Sequence, residues 1–143
     1  MKISIVMLCF FISTAMTAQE DWGTLSGNKL TMNQIAPIWP GCEAGDSAKR
    51  DACFNKMLVK HLGENFKYPA NEYKNNIQGE VVVVFIINTK GLVEIKSASG
   101  GNKGLQEAAK KNILSMPKMK PGMFAGKPSA VEYTVPLNFK TGK

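Results

Sequence analysis

The chain has 143 residues, one domain's worth, and carries 18 Lys plus Arg against 11 Asp plus Glu for a net charge of +7. An apolar content of 44% with 20% charged residues excludes a wholly disordered chain. One His and three Cys leave few ways to build a metal centre or a His-based catalytic site.

The first segment reads as a targeting sequence rather than as part of the fold. Lys2 supplies a positive start, Ile3 to Ile12 is apolar apart from Ser4, and Ser13 to Gln19 is small and polar. That is the three-part layout of a secretory signal peptide spanning residues 1–18, with cleavage after Ala15 or Ala18. The alternative is an uncleaved inner-membrane anchor, but the apolar run falls short of the roughly 20 residues a spanning helix needs. Cys9 follows Leu8 and the apolar run continues past it, so a lipoprotein is not expected. Cleavage would leave Cys42 and Cys53 as the two cysteines of an exported chain, and a disulfide between them is expected. Its rival is a metal site using Cys42, Cys53 and His61, whose spacing matches no standard zinc pattern.

Residues 19–46 form an extended leader without periodicity, and Ile38-Trp39 near its end is apolar enough to dock on the domain. Asp46-Ser47 offers an N-cap, and Phe54, Met57, Leu58 and Leu62 share one helical face. A helix is therefore expected over 47–62, stopped by Gly63. His61 falls near its C-terminus, where a surface or capping role is expected. Pro69 can start a short helix over 70–76.

Val81 to Ile87 is an apolar, largely β-branched run, expected as a central strand flanked on both sides. Asn88-Thr89-Lys90-Gly91 reads as a hairpin loop, and 92–99 as the return strand with Val93 and Ile95 inward. Gly100-Gly101 lacks the spacing of a phosphate loop. Leu105, Ala108, Ala109, Ile113 and Met116 mark a helix over 103–116, and a loop is expected from Pro117 to Lys127-Pro128. Val131, Tyr133, Val135, Leu137 and Phe139 alternate with polar residues and Pro136, which gives a strand at the sheet edge. The expected fold is α+β: a three-stranded antiparallel sheet with helices on one face, a two-layer sandwich occupying 47–143 with its N-terminal helical extension.

These residues in combination resemble the TonB C-terminal domain family. The resemblance is carried by Tyr68-Pro69, Asn76-Ile77-Gln78-Gly79-Glu80 leading into Val81 to Ile87, the Gly91 turn, Ser97 to Ser99, Leu105 with Ala108-Ala109, Met116-Pro117-Lys118-Met119-Lys120-Pro121-Gly122, Gly126-Lys127-Pro128 and Val131 to Phe139. Pro40-Gly41-Cys42-Glu43 with Cys53 is similar to the extension on TonB-like energy transducers of Bacteroidetes type. Met119 stands where the family usually has Trp, and Tyr73 where it has a small residue, both expected as repacked core. The Pro-rich spacer is missing, since 19–46 contains only Pro37 and Pro40. A segment that short, at about 3.1 Å per residue, makes no periplasm-spanning rod.

The resemblance implies binding rather than catalysis, with no cofactor, no metal and no small-molecule substrate. Its implied partner is a TonB-dependent outer-membrane receptor or a related envelope protein, whose extended TonB box adds to the last strand by β-augmentation. Carried over, the peptide-binding residues are Val131, Glu132, Tyr133, Thr134 and Val135, together with Asn65, Phe66 and Lys67 ahead of Tyr68. The implied setting is the periplasm. The alternatives are a membrane-anchored minimal energy transducer and a homodimer formed by pairing of edge strands; an edge blunted by its own charges or capped by its own leader is a further possibility. Lys110, Lys111, Lys118, Lys120 and Lys127 read as a solvated basic face, and nucleic acid is not an expected partner. No nucleophile–base pair or paired carboxylates suggest an enzyme.

Overall fold

The computed structural model describes residues 26–27 and 34–142. The signal segment expected at 1–18 and residues 19–25 and 28–33 of the leader expected at 19–46 lie outside the described residues. Among the described residues no helix is long and apolar enough to cross a membrane.

In chain order the elements are β1 (Ser26–Gly27), β2 (Gln34–Ile35), α1 (Ser47–Glu64), α2 (Ala70–Lys74), β3 (Gly79–Ile87), β4 (Val93–Ser99), α3 (Lys103–Leu114), β5 (Gly122–Phe124), β6 (Lys127–Ser129) and β7 (Val131–Phe139). The main sheet has the order β1-β7-β3-β4, antiparallel throughout. Its three long strands are those the apolar patterns predict, and the α+β class holds. A second small sheet, β2-β5-β6, stands where a plain loop is expected after Pro121. Ala125 and Gly126, both at positive φ, turn β5 back onto β6.

The two long helices, α1 and α3, each begin on a side-chain cap. The Asp46 carboxylate accepts from the Lys49 amide at 2.9 Å, and the Asn102 amide oxygen accepts from the Leu105 amide at 2.9 Å. α1 runs through Gly63 to Glu64, two residues further than expected, and closes when Asn65 N–H donates to the His61 carbonyl. α3 ends at Leu114, two residues early, and Ser115 caps it.

β3 is central, but it is fully buried on one face only. Val81, Val83, Phe85 and Ile87 are buried, while Val82, Val84 and Ile86 alternate with them as half-buried residues. Both helices pack on the first face. Phe54 of α1 stacks on Tyr133, which stacks on Phe85, and Leu105, Ala109 and Ile113 of α3 join the same core. Each large side chain sequestered there contributes about 1.5–3 kcal/mol. The leader closes the core at one end. Trp39 is buried, edge-on to Phe54 at 5.9 Å, and the disulfide Cys42–Cys53 joins it to α1 with a Cα–Cα distance of 5.7 Å. This disulfide is the one expected, and its cysteines supply no metal site.

Met119 is buried as expected, but Tyr73 is 44% exposed. Its ring meets Tyr68 edge-on at 5.4 Å, so the large side chain sits on a surface pair and not in the core. The turn at Gly91 explains part of the loop after α3. Gly91 has φ +79°, and a Cβ there would lie 1.7 Å from the Met119 carbonyl oxygen. The closeness lets the Met119 amide donate to the Gly91 carbonyl at 2.9 Å, and Lys120 then bridges to Ile38. The β3–β4 hairpin, the α3 exit and the leader are thus tied at one corner.

Candidate functional site: the outer edge of the last strand

β7 pairs with β3 without interruption from Ile87↔Val131 to Gly79↔Phe139. Pro136 lies within this ladder, opposite Val82. Having no N–H, it fits an unbroken ladder only if its nitrogen points away from β3. Backbone groups alternate with a period of two, so those of Glu132 and Thr134 also point outward. The five residues expected to bind a peptide, Val131 to Val135, are therefore contiguous, and their outward-pointing groups lie on the side away from β3.

That edge is not open along its whole length. β1 pairs antiparallel with it, Ser26 opposite Thr134 and Gly27 opposite Tyr133. Of the expectations for this edge, open, blunted by its own residues or capped by the leader, the cap is present at two residues. The sequence gives no sign of it, because a two-residue strand has no periodicity to detect.

The side chains divide between two faces. Val131, Tyr133 and Val135 point toward the helices, with Val131 and Val135 buried. The Tyr133 ring is stacked between Phe54 (centroids 5.0 Å) and Phe85 (5.6 Å). Burial first, and then the nearby Asp51 charge, push the Tyr133 hydroxyl well above its ordinary pKa. Asp51 is itself raised by burial and pulled back by Arg50. On the outer face Glu132 accepts from the Lys96 ammonium at 2.5 Å, bridging β7 to β4 across β3. Both side chains are substantially exposed, so the pair contributes at most about 1 kcal/mol.

Asn65, Phe66 and Lys67 lie at the other end of β7. Phe66 packs on Phe139 with centroids 4.9 Å apart, and Tyr68 meets Phe139 edge-on at 5.4 Å. From Val135 to Phe139 the strand advances about 13 Å. The structure therefore separates the two groups of expected binding residues instead of joining them in one patch. Asn65 is occupied locally. Its side-chain amide donates to the His61 carbonyl at 2.9 Å and approaches His61 Nδ1 at 3.2 Å. With Nδ1 accepting, the ring proton belongs on Nε2, which faces Ser115 Oγ at 2.9 Å, and Ser115 passes a hydrogen bond to the Asn112 carbonyl at 2.6 Å. His61 is therefore a clasp between the ends of α1 and α3 and more than a surface residue. Asn112 is buried beside it and donates to the Leu62 carbonyl at 3.2 Å. Lys67 lines a shallow cleft of about 400 Å³ with Tyr68, Glu107, Lys111 and Asn112. Glu107 is held below the usual carboxylate range by its hydrogen bond and charge contact with Lys110.

Among the described residues no three His, Cys, Asp or Glu side chains converge to hold a metal ion. What this geometry offers is a sheet edge with outward amides, a rigid apolar layer behind it and a charged pair beside it.

Residues 64–141 match the Gram-negative bacterial TonB protein C-terminal family. The chain belongs to the TonB C-terminal family. This is a family of protein-interaction modules that engage outer-membrane receptors in TonB systems. Among solved structures, the NMR solution structure of the Helicobacter pylori TonB C-terminal domain is similar at 21% identity. The likeness covers 68% of this chain and 96% of that one, with a TM-score of 0.43. No curated protein matches the chain. The family match begins at Glu64, so β1, β2, the disulfide and nearly all of α1 precede it. Those are the elements that cap the β7 edge and brace its inner face.

Proposed function

We propose that this TonB C-terminal domain is an exported, periplasmic binding module that takes an extended segment of a TonB-dependent outer-membrane receptor, or of a related envelope protein, onto the β7 edge by strand addition. The observation that supports this reading most directly is the β1–β7 pairing itself: the edge at Tyr133–Thr134 already holds a short antiparallel strand. The domain has no catalytic task in this reading, and its function is the reversible capture of backbone. Pairing concentrates on Val131 to Val135, because Pro136 offers no donor to the next residue pair.

The test uses synthetic peptides from the periplasm-facing N-terminal segments of the receptors made by the same cell, each with one cysteine. Oxidative capture should join such a peptide to Thr134→Cys, and not to Asn138→Cys beyond the proline. Equal capture at both positions, or at neither, would overturn strand addition at this edge. Export is tested separately by the N-terminal residue and the cell fraction of the native protein. A start near Met16 or Gln19 in the soluble periplasm is expected, and an intact Met1 in the inner membrane would favour the anchored transducer.

A further inference from the structure

The pairing of β1 with β7 has a role in the binding reaction as well as in the fold. We infer that Ser26–Gly27 is a built-in competitor: it occupies Tyr133–Thr134 of β7, and an external strand must displace it to bind there. This rests on β7 being the receiving edge.

Three observations carry the inference. First, the occupied position lies inside Val131 to Val135, the stretch where outward amides are uninterrupted by Pro136. One backbone cannot pair with two partners on the same side, so occupation by β1 and by an external strand are mutually exclusive. Second, β1 is two residues long against nine in β7. An external strand covering Val131 to Val135 forms more backbone hydrogen bonds than β1 gives up, so displacement is downhill once the longer strand is in register. Third, β1 cannot diffuse away. It lies six residues before β2, which is paired to β5, and the following bridge of Ile38 to Lys120 and the Cys42–Cys53 disulfide fix that stretch to the domain. A tethered strand rebinds at a high effective concentration. The cap therefore raises the threshold for weak or short partners and yields to long ones. It also covers an edge that would otherwise pair indiscriminately.

The experiment compares the whole chain with Ser26→Pro, a change in the leader that removes the Ser26 donor and leaves the β7–β3 ladder intact. The first readout is hydrogen exchange of the Thr134 amide, which needs no partner. The second is the affinity of a labelled synthetic peptide copying Trp22 to Leu30, the chain's own cap sequence. Ser26→Pro should speed Thr134 exchange and tighten the peptide by roughly tenfold or more, the equivalent of one good backbone pair. Unchanged Thr134 exchange would overturn the cap. Faster exchange with unchanged peptide affinity would overturn the competition. Thr134 protection that grows with protein concentration would place the strand in a neighbouring copy and overturn the intramolecular form. If receptor peptides fail to bind every variant while both Ser26→Pro effects appear, the receptor reading falls and the built-in competitor stands.

Discussion

Tyr133 shows how one residue of the β7 edge is held from behind. Its ring fills the space between Phe54 and Phe85, and its hydroxyl resists ionisation because burial and Asp51 both disfavour the anion. A pKa raised in the folded state means that the native form keeps its proton where the unfolded chain loses it. The resulting stability is complete below the ordinary tyrosine value of about 10 and is lost as pH rises above it. Urea unfolding at about pH 8 and pH 11 should show a fall in midpoint that is smaller in Tyr133→Phe than in the unaltered chain; an equal fall in both would disprove the assignment. Gly91 makes a different demand. Any side chain there must move the Met119 carbonyl and adopt a positive φ, so Gly91→Ala should cost more than about 1 kcal/mol in a denaturation experiment. A neutral result would mean the corner at Met119 is freer than the geometry implies.

At the scale of elements, the long pieces were legible because their patterns are long. Val131 to Phe139 alternates through nine residues, and the boundaries read from that alternation are those of β7. α1 and α3 each showed an apolar face, and α1 also an Asp46-Ser47 N-cap; their expected bounds missed only at the C-terminal ends, where capping groups beyond the last apolar residue decide the stop. The small sheet and β1 were illegible. Two- and three-residue strands owe their pairing to tertiary placement: β5 lies beside β2 because Lys120 is bridged to Ile38, a contact no local pattern encodes. The same reasoning covers the site. The outward side of β7 followed from Pro136, whereas its occupant and the distance to Asn65–Lys67 depended on how the chain folds back. The disulfide is the element-level feature with the clearest energetic signature. Replacing Cys42 and Cys53 by Ser should lower stability by about 3 kcal/mol in the chain-entropy account, with the loss visible in calorimetry, and a change near zero would assign the bridge no stabilising role.

For the molecule as a whole, the division of labour runs along the chain. Residues 64–141 carry the family's sheet with its β7 edge, and the residues before them carry the strand paired to that edge, the aromatic brace and the covalent link. The link also determines how the molecule would bear load. Once the chain is unfolded, a tension applied at the leader and resisted at the C-terminus reaches Cys42 and crosses the sulfur bridge to Cys53, so residues 43–52 lie off that route. Stretching under oxidising and then reducing conditions should therefore give the unfolded chain about 35 Å of extra contour, the span of the bypassed segment. Those residues are reserve length that an extended chain gains only where thiols are reduced.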